Sequence, residues 1–302
     1  MDPFATDSEL LNIHTAFTQS QYSTVLSDFS PADFSPSNRL PAQILQYRAQ
    51  CALGQSSEVL SSISESDARA TPDLAAMRAF ARFCQNPERS EDAVTEAERL
   101  AERYGGENLH VQLLCGIILA RTPGKSDAAL QLLSKHQGSL DAVALMVQIH
   151  LTQNRTDLAV KEAQSARSFA QDALLVNLAE SWIGMRKGGQ DEYQKAFYVF
   201  EELAQAPGSR SVGSLVAQAV SEIHLGRLEE AEVGLEAAVG MEGQGEEVLA
   251  EAWANKAVLD AALGRTTGES VAKLKSLKAG HELLADMDAK REAFRAAAAK
   301  YS

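Results

Sequence analysis

Apolar residues along this chain of 302 recur at i, i+3, i+4 and i+7 in segments of roughly 12 to 16 residues, the mark of helices with one buried stripe. No segment sustains a two-residue alternation, so the pattern predicts no strand. Prolines punctuate the segments at "FSPADFSPSNRLP", "ATPD", "QNPE", "RTPGK" and "QAPG", where they read as loops or helix starts. Alanine is abundant and β-branched runs are scarce, which favours helix again. The chain reads as all-α.

The helices also come in pairs. The phrase "HLGRLEEAEVGLEAAV" (His224 to Val239) has fainter copies in "CALGQSSEVL" and "AALGRTTGES". Aligning the second helix of each pair on one small or apolar residue after a short turn gives Val25, Val59, Ala93, Ala128, Ala159, Ala196 and Ala231. Their spacing is roughly 31 to 37 residues, around the tetratricopeptide period of about 34. About twelve positions earlier, on first helices, stand Ala81, Gly116, Val147 and Ala219, while Leu132, Phe200 and Leu235 follow four positions later. Antiparallel helices joined by a tight turn approach closely only where side chains are small, and larger apolar residues then lock into the next pair. The glycine of each Leu-Gly supplies a C-terminal cap that adopts positive φ at little cost.

The expected fold is therefore a tetratricopeptide-like α-solenoid, a single domain over residues 1–302 of about eight helical hairpins, with 266–302 as a C-terminal capping region. Two departures stand out. The insertion "RKGGQDEYQ" is expected to lengthen the turn after the Trp182 helix, and Glu269 occupies the contact position of the last pair. Beyond it, "VAKLKSLKAGHELLADMDAKREAF" reads as one terminal helix with Leu274, Leu277, His281, Leu284 and Met287 on a single stripe.

Composition narrows the function. A formal net charge of -13 argues against a nucleic-acid or anionic-membrane binder that works through overall charge, although basic residues outnumber acidic ones from Arg265 onward. The start "MDPFATDSEL" has no apolar stretch of the signal-peptide kind, and no window approaches the run of about 18 apolar residues that a membrane span needs. Membrane association is expected only indirectly. Cys51, Cys84 and Cys115 are widely spaced and form no CxxC pair, and read as reduced core thiols of a cytosolic protein.

Motifs for chemistry are missing. "TPGKS" (Thr122 to Ser126) ends like a phosphate-binding loop, but Leu119 stands where that loop needs glycine, so it reads as a helix–helix turn. "GMEGQG" (Gly240 to Gly245) misses the dinucleotide-binding spacing and reads as a connector. The six histidines form no HxxxH pair, and "NRT" at Asn154 fits the glycosylation pattern only formally. No catalytic residue, metal ligand or cofactor is expected.

A superhelix of helix pairs presents a surface lined by first helices. Projected in the repeat frame, Leu113, Ile117, Leu151, Val176, Ile183, Val216, Val220, Ile223 and Val258 point toward it, with Arg48, Arg78 and Arg82 nearer the N-terminus. Either these apolar residues are core, or they form a groove for an extended apolar segment of a partner.

The sequence resembles the coatomer ε subunit family of the COPI vesicle coat. "LAESWIGMRKGGQDEYQKAFYVFEELAQ" (Leu178 to Gln205), "NIHTAFTQSQYSTVL", "LGRLEEAE" and "SLKAGHELLADMDAKREAF" carry the resemblance, which extends over the whole chain. It implies a non-enzymatic scaffold that closes around a projecting part of the coatomer α subunit's C-terminal domain. It also implies other coatomer subunits as partners and a cytoplasmic place, peripheral on Golgi membranes and vesicles returning to the endoplasmic reticulum. The alternative is a soluble peptide-binding adaptor, a co-chaperone or targeting receptor.

Overall fold

The computed structural model describes residues 9–86, 90–206, 208–242 and 245–301. Among them it has eighteen α-helices, one short 3-10 turn and no strand. Eight antiparallel hairpins account for most of the helices. In chain order they open with α1 (Leu11–Thr18) and α2 (Tyr22–Ser27), then α3 (Arg39–Ala52) and α4 (Ser56–Ser62). A short extra helix, α5 (Glu65–Ala70), precedes α6 (Pro72–Gln85) and α7 (Glu91–Tyr104). Next come α8 (Leu109–Arg121) with α9 (Ser126–Leu133), α10 (Leu140–Thr152) with α11 (Thr156–Arg167), and α12 (Leu174–Lys187) with α13 (Gln190–Gln205). The last hairpins are α14 (Val212–His224) with α15 (Leu228–Val239) and α16 (Glu246–Ala262) with α17 (Gly268–Leu277), and α18 (Glu282–Ala298) ends the series.

Seven of the hairpin turns share one device. A residue in the left-handed region follows the first helix at Ser20, Gly54, Gly124, Asn154, Gly188, Gly226 and Gly264, with φ between 58° and 80°. At five of these turns the next backbone N–H reaches back to a carbonyl five residues earlier, as in Arg227 to Glu222 (2.9 Å) and Arg155 to His150 (2.8 Å). This closure satisfies a carbonyl that the helix end would otherwise leave unpaired. Replacing Gly226 (φ 78°) by alanine is expected to cost about 1–2 kcal/mol in a urea titration. Alanine at exposed Glu229 should change stability by less than about 0.5 kcal/mol.

The turn also sets the contact point of the second helix. Val25, Val59, Ala129, Ala159 and Ala231 each stand five residues after the left-handed residue and have no exposed surface. The expected contact residue Ala128 is only half-buried; Ala129 takes its place, because the register runs from Gly124 rather than from the mean repeat length. Its partner helix carries Gly116, where an added Cβ would come within 2.9 Å of Leu133 Cδ2, so α8 and α9 pack at the distance that glycine permits.

The insertion after Trp182 does not lengthen a turn. Only Gly188 and Gly189 separate α12 from α13, both at positive φ, and the extra residues go into longer helices. At the last hairpin the contact residue is buried Ser270, not exposed Glu269, and Ser270 Oγ donates to the buried Asp260 carboxylate. The segment expected as one terminal helix is two. Its chain breaks at Lys278–Gly280, and His281 becomes the N-cap of α18, its Nδ1 accepting from Leu283 N–H at 3.1 Å.

The chain packs as two compact units, Met1–Val199 and Phe200–Ser302. In the first, Ile13, Val25 and Leu45 form a small core under α1–α3, and a larger core from α3 to α10 centres on Met77, Leu100, Leu114 and Ile118. Val147, Ala159, Ala163 and Val176 join α10, α11 and α12. In the second, Ala219, Ala231, Leu235 and Leu259 join α14, α15 and α16, while Leu274 of α17 and half-buried Leu283 and Leu284 of α18 pack on Ala250 and Ala254. Each buried leucine or isoleucine contributes about 1.5–3 kcal/mol over its exposed state.

The three cysteines, expected as reduced core thiols, are free, with Cys51 and Cys115 buried and Cys84 half-buried. Cys51 and Cys84 stand one repeat apart, on α3 and α6, and their thiols hydrogen-bond, which lowers the Cys51 pKa. Burial pushes the Cys115 thiol up to about 12.

Candidate functional site

Within the first unit, the row of first helices turns back on itself so that α1 meets α12. Three buried polar side chains fasten α1 and α3 to α10 beside that meeting. His14 of α1 donates from Nε2 to Asp141 Oδ2 at 2.6 Å, and Arg48 of α3 reaches Asp141 Oδ1 at 3.3 Å. Each of these side chains is only 10% exposed. Burial alone would raise the Asp141 pKa, but His14 and Arg48 outweigh it and hold the carboxyl well below the usual carboxylate range. Arg48 also lies over the Phe17 ring, 4.4 Å from its centroid, and Phe17 meets Tyr22 edge-on at 5.4 Å.

Beside this cluster is a cleft of 390 Å³. Phe17 and Tyr22 bound one side. Leu113, Ile117 and Arg121 of α8, Ala144, Gln148 and Thr152 of α10, and Leu175, Leu178 and Trp182 of α12 bound the others. The lining is mainly apolar, with guanidinium and carboxylate groups at the rim of Arg48 and Asp141. A cavity of this size takes a few side chains, not a folded segment.

The nine residues projected toward such a surface are placed unequally. Leu113 and Ile117 line the cleft. Val176 and Ile183 are buried in the α10–α11–α12 core, and Leu151 packs against the same cluster. On α10 and α12 the projected residues lie one position from the true lining: Leu151 beside Thr152, Val176 and Ile183 beside Leu175 and Trp182. One residue turns a helix face by about 100°, which exchanges core for cleft. In the second unit, Val216 packs into two apolar clusters and Ile223 against Ala219, Ala231, Leu235 and Leu259. Val220 is half-buried and Val258 is 44% exposed.

Projection missed Phe17, Tyr22 and Trp182. A signal for the last existed in Leu175, Leu178 and Trp182, which repeat at i, i+3 and i+7. Arg48 was projected correctly onto the cleft, whereas Arg78 and Arg82 line a different one.

No group of three or more His, Cys, Asp or Glu side chains suited to a metal ion occurs among the described residues, and no described helix is long and apolar enough to cross a membrane. The histidines serve packing: His110 Nδ1 bonds Asp73 at 2.9 Å, and His281 caps α18. "TPGKS" is the turn between α8 and α9. "GMEGQG" lies partly outside the described residues.

The family model of the coatomer epsilon subunit matches residues 6–302. The chain belongs to the coatomer epsilon subunit family. It is 28% identical over 288 residues to coatomer subunit epsilon-1 of Arabidopsis thaliana, covering 94% of each chain. It is 32% identical over 242 residues to the probable coatomer subunit epsilon of Schizosaccharomyces pombe, covering 80% of this chain and 78% of that one. Among solved structures it is similar to the APC/C hetero-tetramer Cut9-Hcn1, with a TM-score of 0.60 and 14% identity over 93% of this chain. The match spans 55% of that larger chain and bears on fold alone. The fold is an all-α, tetratricopeptide-like solenoid, as the repeat pattern predicts. The chain is thus a member of a coat-subunit family.

Proposed function

We propose that this coatomer epsilon subunit is a non-enzymatic scaffold of the COPI coat. Its first-helix surface binds the C-terminal domain of the coatomer α subunit and supports Golgi-to-ER retrograde transport. Family membership over residues 6–302 carries this reading. The cleft beside Ile117 and Trp182 gives the partner's apolar side chains a place to enter. On the second unit, half-exposed Val220 and Val258, with Val216 and Ile223 beneath, extend the proposed contact. The chain sits in the cytoplasm, on Golgi membranes and coated vesicles only through its partners, and 1–302 acts as one domain with 266–302 as its cap.

Affinity purification of the full chain followed by mass spectrometry tests the reading. Retention of the α subunit through high salt is the expected result. Reversible exchange of short peptides at about micromolar affinity, with no coatomer subunit retained, would identify an adaptor instead. Val220→Asp with Val258→Asp is expected to weaken retention of the α subunit while far-UV circular dichroism stays unchanged. Loss of helicity in that double variant would assign both valines to the core.

A further inference from the structure

A second cleft in the first unit, also of 390 Å³, lies along α5, α6 and α7 and is chemically unlike the first. Arg78 and Arg82 line it from α6, and Arg99 and Arg103 line it from α7. Each pair is spaced i, i+4, so each forms a row one helical turn long on its own helix, with about 5–6 Å between neighbouring Cβ atoms. Arg69 of α5 adds a fifth guanidinium, and Glu65 and Glu96 are the carboxylates in the lining. In a chain of net charge -13, this one trough holds a surplus of three positive charges.

The two glutamates do not quench it. Glu65 pairs with Arg69 at 3.3 Å and lies 3.7 Å from Arg78, which also donates to the Ile63 carbonyl. Glu96 accepts both forks of Arg99, at 2.6 and 2.8 Å. Arg82 is exposed and has no carboxylate in ion-pair contact among the described residues, though its charge reaches Glu96 and helps lower that carboxyl's pKa. Arg103 lies over the Tyr104 ring, 5.1 Å from its centroid, and has no carboxylate in ion-pair contact among the described residues. Guanidinium groups held along one trough repel one another until an anion bridges them, and their planar forks match carboxylates in pairs.

We propose that this trough binds an acidic polypeptide segment of a protein partner in extended form, with separate carboxylates pairing with Arg82 on α6 and Arg103 on α7. An extended chain rises about 3.3 Å per residue, so carboxylates at alternate positions repeat about every 6.6 Å on one face. That repeat fits the spacing of the arginine rows. The chain's own negative field opposes long-range attraction of acidic ligands, so affinity depends on the local forks.

A fluorescein-labelled octapeptide alternating Glu and Ser, titrated into the full chain by anisotropy, tests this. Binding should weaken steeply with added salt and be absent for a Gln–Ser control peptide. The variant R82A/R103A should bind at least about tenfold more weakly, with an unchanged circular dichroism spectrum. R82K/R103K should restore affinity only in part, because lysine lacks the fork. Equal affinity in wild type and R82A/R103A would overturn the proposal. So would binding of phosphatidylcholine–phosphatidylserine vesicles, or of inorganic phosphate, through these arginines with no binding of the peptide.

Discussion

Replacing Asp141 by alanine is expected to lower the unfolding free energy of the first unit by about 3–5 kcal/mol. The substitution removes the carboxylate that both His14 and Arg48 bond, and leaves the buried Arg48 guanidinium without its ion-pair partner among the described residues. Loss of one partner from a buried charged cluster leaves uncompensated charge in a low-dielectric surrounding, which costs more than the pair itself gains. Asp141→Asn keeps the shape and an acceptor, and should cost less than the alanine variant. The pH dependence has a definite sign. The folded-state pKa of Asp141 is depressed, so its contribution is fully present above the unfolded carboxyl value of about 4. It is lost progressively as pH falls from there toward the folded value. Urea titrations in acid should therefore show a steeper loss of stability in the wild type than in Asp141→Asn. Equal acid sensitivity of the two would show that another carboxyl dominates.

The second large effect is expected on partner binding. Gln148 is exposed and lines the first cleft, so Gln148→Trp should occlude it without removing any core contact. Ile117→Asp places a charge on the same surface where the proposed partner would have to desolvate it. Both variants are expected to weaken the proposed binding to the α subunit's C-terminal domain by about 30-fold or more, corresponding to a hot-spot loss of about 2 kcal/mol. Isothermal titration with the purified domain measures this, and thermal melts separate it from unfolding. Binding unchanged in Gln148→Trp, with the fold intact, would remove the cleft from the interface.

How much of this was legible in the sequence depends on range. Paired helices were readable because their signals are local: apolar residues at helical spacing, and Leu-Gly turns whose glycines do adopt positive φ at 54, 226 and 264. Asn154 and Ser20 do the same work without glycine, so those turns carried a weaker mark. The cleft was half legible. Leu113 and Ile117 line it, but a frame drawn across pairs whose spacing varies from roughly 31 to 37 residues ran one residue off on α10 and α12, where Val176 and Ile183 are core and Trp182 lines the cleft. The contact between His14 and Asp141 left no local trace, since a lone polar residue in an apolar helix does not say which of many distant groups will pair with it. The arginine trough was visible only as scattered residues on two helices until their faces were brought together.

The bond between His14 and Asp141 joins residues 127 positions apart, and this separation orders events during synthesis. At about 5–20 residues per second, α1 leaves the ribosome roughly 6–25 s before the aspartate it needs. The apolar core of Leu10 and Ile13 can close on α2 and α3 as soon as those helices are made, while the polar contact of His14 must wait for Asp141. A nascent chain halted before residue 141 therefore carries its first three helices packed on one another but without the carboxylate that fastens His14 and Arg48 to α10.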